Sequence, residues 1–117
     1  MSEQVLVIGA ILLDVKGKPL AGLEPNTSNP STSRITRGGT ARNVAENLGL
    51  LGADVTLISA VGDDIIGKQL VEQTAAANVN VDLVQTIDGE NTGAYIAVLE
   101  IFMASSCPIR HRLDLTW

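Results

Sequence analysis

The sequence predicts an α/β protein, because apolar strand-like runs alternate with amphipathic helical segments along most of the chain. Residues 4–9 and 55–61 are rich in Val and Ile, which is typical of strands buried on both faces of a parallel sheet. Residues 14–36 instead carry Gly, Pro, Asn, Ser and Thr between short segments that could pair as edge strands. These patterns predict a partial Rossmann-type three-layer sheet with right-handed crossovers. They also predict a small β lid, an excursion over about residues 14–36 and 88–102.

Two predicted helices are placed by apolar residues at helical spacing. In the first helix, Thr40 is the predicted cap and Gly52 the predicted stop. Its apolar stripe is predicted to comprise Ala41, Val44, Ala45, Leu48 and Leu51. The second helix follows the turn at residues 62–64, whose two aspartates are predicted to cap it, and it ends near Asn78. Its stripe is predicted to comprise Ile66, Leu70, Val71 and Ala75.

The last third of the chain changes character. Residues 83–87 and 93–102 are predicted strands around a turn at residues 88–91. Residues 103–117 have neither a strand nor a helix period, and they contain the only Cys, His and Trp of the chain. We therefore predict one structural unit over residues 1–102 and an atypical tail over residues 103–117, either disordered or out of frame. A truncation or a change of reading frame near Glu100 would account for the tail, and so would a natural short variant.

Composition narrows the class of partner. The chain has 117 residues, 45% of them hydrophobic, which is sufficient for one globular core. The formal net charge is −5 and the eight Lys and Arg residues are scattered, which argues against nucleic acid or anionic membrane as a partner. The N-terminal residues resemble neither a secretion signal nor a membrane span, so a cytoplasmic location is expected. One cysteine excludes an internal disulfide and a cysteine-cluster metal site.

Four positions are the first candidates for a ligand site. Asp14 follows the first strand, where open α/β sheets bind ligands, and its carboxylate can accept from two hydroxyl groups of a ribose-like ring. Gly38 and Gly39 precede the first helix and allow the backbone to approach a ligand closely. Asn43, one turn into that helix, offers both a donor and an acceptor. Each position also has a purely structural interpretation: a solvated loop aspartate, a tight turn and a tolerated helix asparagine.

Thr92 and Arg42 are two further polar residues in the segments that contain the candidates. Thr92 in the turn GENTGAY lies where the lid could close on a substrate, although threonine is also simply a good strand former. Arg42 is predicted to be solvated or paired with a carboxylate. The acidic turn at residues 62–64 is assigned a capping role and no metal.

The run GGTARNVAENLGLLGADVTLISAVGDDIIGKQLVEQTAAANVNVD at residues 38–82 resembles the first signature of the PfkB (ribokinase-like) family of sugar and nucleoside kinases. The longer run SNPSTSRITRGGTARNVAENLGLLG, together with GENTGAY, is similar in particular to pseudouridine kinases. The resemblance covers about residues 4–100. It implies a ribokinase-like fold in which Asp14, Gly38, Gly39 and Asn43 contact the sugar. It also implies that the full-length protein uses ATP and magnesium to phosphorylate a nucleoside 5′-hydroxyl.

The chain departs from the family pattern in two respects. Leu12 stands where family members usually have an asparagine, which removes one potential sugar contact. The family's second signature, with its Gly-Ala-Gly-Asp anion hole and catalytic aspartate, is missing, and no P-loop replaces it. We therefore predict the substrate-recognition portion of a kinase, inactive as this chain alone, with no catalytic, cofactor-binding or metal-binding residue of its own.

Two other interpretations stay open. A noncatalytic sugar- or nucleoside-binding subunit, or pseudokinase, would use the same ligand residues. A dinucleotide-binding unit is the third possibility because VLVIGA opens like one, but the required glycine pattern does not follow Gly9. In the main interpretation the partner is a small polyhydroxylated molecule, and the strands left without a covering layer also predict self-association through an exposed sheet.

Overall fold

Two sheets and two helices form the part of the chain that the structure describes. The structure is a computed structural model, and it describes residues 3–99. The elements follow in the order β1 (Gln4–Ile8), β2 (Leu12–Pro19), β3 (Ser31–Gly38), α1 (Thr40–Leu50), β4 (Asp54–Gly62), α2 (Ile65–Ala75), β5 (Val79–Asn80), β6 (Val84–Ile87) and β7 (Ala94–Val98). Within residues 3–99, neither helix is long and apolar enough to cross a membrane.

The first sheet, here called the core sheet, consists of β1, β4, β5 and β6. Strands β1, β5 and β6 all pair with β4 in parallel, with Val5 beside Val55 and Val55 beside Val79. Helix α1 contacts β1 and β4, and α2 contacts β4 and β5. The buried apolar residues of this layer are Ile11, Ala45, Val55, Leu57, Val61, Leu70, Ala77 and Val79. Burial of this cluster is the main source of hydrophobic stabilisation in the described residues.

The sequence predicts that each of the two apolar strands is buried on both faces. This prediction is correct only for β4. Val55, Thr56 and Leu57 are consecutive and all buried, so both faces of the first half of β4 are covered. In β1 burial alternates instead, and Ile8 is 73% exposed. The reason is position, because β4 is the only pairing partner of β1 in residues 3–99 and the covering helix lies over one face.

The second sheet, here called the lid sheet, consists of β2, β3 and β7. Strands β2 and β3 form an antiparallel hairpin, and β7 adds to β2 in parallel. The two hairpin strands extend beyond residues 14–36 at both ends, and with eight residues each they are longer than the short edge strands that the sequence suggested. The strands predicted on either side of the turn at residues 88–91 do form, but β6 belongs to the core sheet and β7 to the lid sheet. Residues 100–102 of the predicted last strand, and the tail, lie outside the described residues.

The first helix begins and packs differently from the prediction. Its N-cap is Gly39, without a side-chain hydrogen bond, and Thr40 is already the first helical residue. The buried positions are Arg42, Ala45 and Gly49, whereas the predicted stripe members Val44 and Leu51 are 45% and 83% exposed. The buried face of α1 is rotated relative to the predicted apolar stripe, because α1 packs closely against the turn that follows α2. A Cβ atom on Gly49 would collide with the carbonyl oxygen of Ala77.

The predicted helix ends are only partly correct, since α2 ends at Ala75 and not near Asn78. Gly52 adopts φ +89° directly after the C-cap of α1, as expected of a helix stop. One of the two predicted capping aspartates caps α2, since Asp64 Oδ1 accepts from the Gly67 N–H at 2.7 Å. Asp63 does not cap, and its own N–H donates to the carbonyl oxygen of Glu90 at 3.0 Å.

Candidate functional site

Three short connections join the lid sheet to the rest of the fold, and Gly39, which follows Gly38 at the end of β3, forms one of them. Gly39 connects β3 to α1 with φ +96°, a backbone conformation that favours glycine. A Cβ atom at Gly39 would collide with the carbonyl oxygen of Ala10, which lies in the connection from β1 to β2. The glycine therefore allows two of the three connections to cross in contact at the base of the lid sheet.

Asp14 lies on β2 in the middle strand of the lid sheet. In register it is flanked by Thr36 on β3 and Tyr95 on β7, and residues in register share one face of a sheet. Its Oδ2 is 3.8 Å from the Lys16 Nζ, an ion pair in which Lys16 is the more exposed partner. Its Oδ1 is buried and has no hydrogen-bond partner among residues 3–99.

Gly38 lies against this carboxylate. It is buried at the end of β3, and a Cβ atom there would be 3.1 Å from the Asp14 Cβ and 2.7 Å from the Leu12 Cδ1. The structure therefore brings together Asp14 and Gly38, on the same face as Leu12, which is in register with Gly38. Gly38 keeps space open beside the carboxylate that a side chain would fill.

Asn43 is oriented by its neighbour in α1. The Arg42 Nη2 donates to the Asn43 Oδ1 at 2.7 Å, and the Asn43 N–H donates to the Gly39 carbonyl oxygen at 2.9 Å. Asn43 lines a cavity between the lid sheet and the two helices, and Asp14 is not among the residues lining that cavity. Of the two alternatives predicted for Arg42, pairing with a carboxylate is the one observed. Arg42 pairs with Glu46, and it is not solvated because it is only 1% exposed.

Thr92 joins the lid sheet to the start of α2. Its hydroxyl donates to Asp64 Oδ1 at 2.6 Å and accepts from the Gly62 N–H at 3.0 Å. Its own N–H donates to Asp64 Oδ2 at 2.8 Å. The hydrogen bond from the Thr92 hydroxyl, with those from the N–H groups of Thr92 and Gly67, lowers the pKa of Asp64 below its usual value. Thr92 thus fixes the third connection, and its hydroxyl is already engaged there.

Thr36, Tyr95 and Lys16 lie beside Asp14 and were not singled out from the sequence. Tyr95 is 59% exposed, and the lid pairing places it next to Asp14. A signal for Lys16 was present, since residues i and i+2 of a strand share a face and Lys16 is two residues from Asp14. The signal for Tyr95 was its place at the end of the segment GENTGAY. Its position beside Asp14 was not predictable, because its strand is distant in sequence and its pairing with β2 is a tertiary contact.

Comparison with known proteins identifies the class to which this architecture belongs. The model of the pfkB family of carbohydrate kinases matches residues 2–101. The chain therefore belongs to the PfkB carbohydrate kinase family, as its signature predicted, and the ribokinase-like α/β fold is confirmed.

Among curated relatives, the pseudouridine kinase of Escherichia coli is 41% identical over 98 residues, which are 84% of this chain and 31% of that protein. The guanosine-inosine kinase of Exiguobacterium acetylicum is 35% identical, over 84% of this chain and 32% of its own length. The crystal structure of ribokinase from Cryptococcus neoformans in complex with ADP superimposes with a TM-score of 0.69 at 28% identity, over 81% of this chain and 30% of that one. The chain thus spans about a third of the length of these relatives.

The strand order also bears on the dinucleotide interpretation. In a dinucleotide-binding unit the first strand leads through a glycine-rich turn directly into a helix. Here β1 leads into the hairpin of β2 and β3, and α1 follows only after that hairpin. The apolar opening VLVIGA is therefore the first strand of a kinase-type core sheet, and the dinucleotide interpretation is wrong.

Proposed function

We propose that this chain is the substrate-recognition portion of an ATP-dependent sugar or nucleoside kinase. The observation that carries the proposal is the buried, unpartnered Oδ1 of Asp14 on the lid sheet. A buried acceptor without a donor costs about 1–3 kcal/mol and more for a charged group, so such an oxygen is expected where a ligand supplies the donor. A hydroxyl group supplies a donor without introducing a charge.

The surroundings of Asp14 suit a hydroxylated ring. Lys16 contacts the other carboxylate oxygen, which leaves Oδ1 as an acceptor for a ligand. Gly38 has no side chain to fill the space beside the Asp14 carboxylate. Gly39 allows the connection from β3 to α1 to contact the connection from β1 to β2. We assign substrate binding to Asp14, Gly38 and Gly39. We also assign it to Asn43, although Asn43 lines a cavity that does not include Asp14. Thr92 belongs to the same proposal, but as the anchor of the third connection it acts through the position of the lid sheet.

Tyr95 favours a nucleoside over a free sugar as the substrate. An exposed aromatic ring in register with Asp14 offers a stacking surface about one strand spacing, roughly 5 Å, from the carboxylate. A nucleobase attached to a ribose whose hydroxyl groups bind Asp14 could stack on that ring. A nucleoside of the pseudouridine type, phosphorylated on its 5′-hydroxyl by the complete enzyme, is our specific proposal, and the two nucleoside kinases among the relatives support it.

Phosphoryl transfer is not assigned to these residues. In residues 3–99 no three His, Cys, Asp or Glu side chains come close enough together to hold a metal ion. We propose that ATP and magnesium act in the full-length relatives and that this chain alone does not catalyse transfer. A cytoplasmic location and a small-molecule partner belong to the same proposal.

The test is a calorimetric titration of the purified chain with pseudouridine and with ribose. We expect saturable binding of pseudouridine that weakens about 10- to 150-fold in Asp14→Asn, the loss typical of a hydrogen bond to a charged group. Asp54→Asn is the matched control, because Asp54 is an exposed aspartate at the start of β4 and is not one of the residues assigned to the site. Equal affinity of the wild-type chain and Asp14→Asn would refute the proposed site.

Two further experiments distinguish a nucleoside from a sugar as the substrate and an inactive chain from an active one. Tyr95→Ala should weaken binding of pseudouridine but not of ribose, and a uniform effect would favour a sugar substrate. Incubation with ATP, magnesium and pseudouridine should yield no phosphorylated product above a no-protein control. Ligand binding without turnover fits both the recognition portion of a kinase and a noncatalytic subunit. Turnover retained after repurification would overturn the predicted inactivity.

A further inference from the structure

A second polar site lies between the lid sheet and the two helices, and it is built around Arg42. The cavity there measures about 480 Å³. Leu13 and Ile35 line it from the lid sheet, and Ile66 and Gln73 line it from α2. Arg42 is 1% exposed and lines the same cavity from α1. A guanidinium group this deeply buried requires acceptors for its N–H donors.

The donors of Arg42 are only partly satisfied. Its Nη2 donates to Asn43 Oδ1 and to Glu46 Oε2. Its Nε and Nη1 are buried, and residues 3–99 provide no acceptor for either atom. Since the guanidinium remains charged at any physiological pH, these N–H groups are unpaired donors on a buried cation. An acceptor that enters the cavity would remove a desolvation cost that the folded chain otherwise bears.

The charge of the site favours an anionic acceptor. Three charged side chains line the cavity, namely Arg37, Arg42 and Glu46. Glu46 is shared, because its Oε1 is 3.6 Å from the Arg37 Nη2 while its Oε2 pairs with Arg42. Two positive groups therefore share one carboxylate, and one positive charge is left over. Arginine is the residue most often used to bind carboxylate and phosphate oxygens in such settings.

Most of the lid-sheet residues that line this cavity face away from Asp14, although Thr36, which is in register with Asp14, lines it as well. Successive residues of a strand point to opposite faces of a sheet, so Leu13 and Asp14 lie on opposite faces of the lid sheet. Arg37 and Ile35 are in register with Leu13 and Val15, which places both on the cavity face. A ligand here would therefore not compete directly for Asp14. It would instead connect β3 to α1, because Arg37 belongs to the lid sheet and Arg42 to the helix.

We propose that the cavity binds a small oxyanion, a carboxylate or phosphate group, through Arg42 with support from Arg37. Binding would tie the lid sheet to α1 from the face opposite to Asp14. This proposal does not rest on the proposed kinase function, because it concerns Arg42 and Arg37 and a different class of ligand. Asn43 is the one residue that lines the cavity and also belongs to the proposed substrate site.

The experiment is a titration with inorganic phosphate and, separately, with acetate, followed by NMR of the backbone amides and of the side-chain amides of Gln69 and Gln73, which both line the cavity. Potassium chloride at matched ionic strength is the reference. We expect saturable shifts around the cavity with at least one of the two anions, and binding at least tenfold weaker in Arg42→Met. Arg34→Gln is the matched control, because Arg34 is exposed and in register with Lys16, on the Asp14 face of the lid sheet.

A second variant, with the opposite expected effect, keeps the proposal testable if Arg42→Met does not fold. Glu46→Gln removes the competing carboxylate, so phosphate should bind several-fold more tightly and raise the thermal unfolding midpoint at lower concentration. Shifts that match those in chloride, equal affinity in the wild-type chain and a folded Arg42→Met, or no gain in Glu46→Gln would each overturn the proposal. Comparison of phosphate with acetate shows which oxyanion class the site prefers.

Discussion

The core sheet and the lid sheet differ in how they are held in place. All the buried apolar residues of the described chain lie in the core sheet, its helices and the connections next to them, with Leu57 fully buried at the centre. Strands β2, β3 and β7 contain no buried apolar residue, and Ile35 and Ile96 on them are 63% and 72% exposed. The lid sheet is attached instead by glycine crossings and by polar contacts such as Thr92 with Asp64.

The comparison indicates a division of roles. Hydrophobic burial stabilises the core sheet without reference to any ligand, whereas the lid sheet carries an unpartnered buried carboxylate oxygen at Asp14. Such a group is unfavourable for stability and is retained where a ligand compensates for it. The predictions below test whether stability and ligand binding separate along this boundary.

The largest expected effect is on the core sheet. Leu57→Ala should lower the free energy of unfolding by about 2–5 kcal/mol, because the side chain is fully buried and leaves a cavity. Ile35→Ala on the lid sheet should change it by no more than about 0.5 kcal/mol, as is usual for exposed positions. Urea unfolding of the two variants measures the contrast, and similar losses would show that the lid sheet is part of the same hydrophobic core.

Thr92→Val tests the polar attachment of the lid sheet. The substitution keeps the shape but leaves Asp64 and the Gly62 N–H without their hydroxyl partner, so we expect a loss of about 1–3 kcal/mol. Thr86→Val is the control, since Thr86 is an exposed threonine on β6. If pseudouridine affinity falls while stability does not, Thr92 contacts the ligand directly and is not an anchor.

The exposed apolar side chains of β1 predict self-association. Leu6 and Ile8 are 58% and 73% exposed on a strand with one pairing partner in residues 3–99, and exposed apolar sheet edges associate readily. Sedimentation velocity should show oligomers that increase with concentration and decrease in Ile8→Lys. Ile96→Lys makes the same change on the lid sheet. A larger decrease of oligomers in Ile96→Lys than in Ile8→Lys would show that the chains associate through the lid sheet.

The pH dependence of stability should reveal the role of Asp64. Its pKa is lowered in the folded chain, mainly by the hydrogen bond from Thr92. The ionised group therefore contributes stability above the unfolded-state pKa of about 3.9, and that contribution disappears as the pH falls through the lower folded value. Asp64→Asn should flatten this acid limb in thermal unfolding, whereas Asp63→Asn should not. An unchanged acid limb in Asp64→Asn would contradict the assignment.

Asp14→Asn should have the smallest effect on stability. Because Oδ1 has no donor in residues 3–99, removing the charge should leave the free energy of unfolding within about 0.5 kcal/mol or raise it slightly. Urea unfolding without ligand measures this difference. A destabilisation of about 2 kcal/mol or more would show that Asp14 supports the lid sheet itself and would weaken the case for a ligand-binding role.

The strands and helices of the core sheet were predictable from the sequence because they follow from local patterns. The apolar runs ending at Ile8 and Val61, the helix stop at Gly52 and the cap at Asp64 all depend on residues close together in the chain. The first signature likewise identified the family from one continuous segment, and the same segment contains Gly38 and Gly39 of the candidate site.

Tertiary packing decided what local patterns could not. The buried face of α1 is set by the close approach of Gly49 to Ala77, which rotates the stripe away from Leu51 and buries Arg42. The pairing of β7 with β2 places Tyr95 beside Asp14 although the two residues are far apart in the chain. The sequence alone therefore determined the family, the core elements and most candidate residues, because those depend on short-range periodicity and composition. Which side chains face one another across the lid sheet, and which charges become buried, depend on long-range contacts that no local pattern encodes.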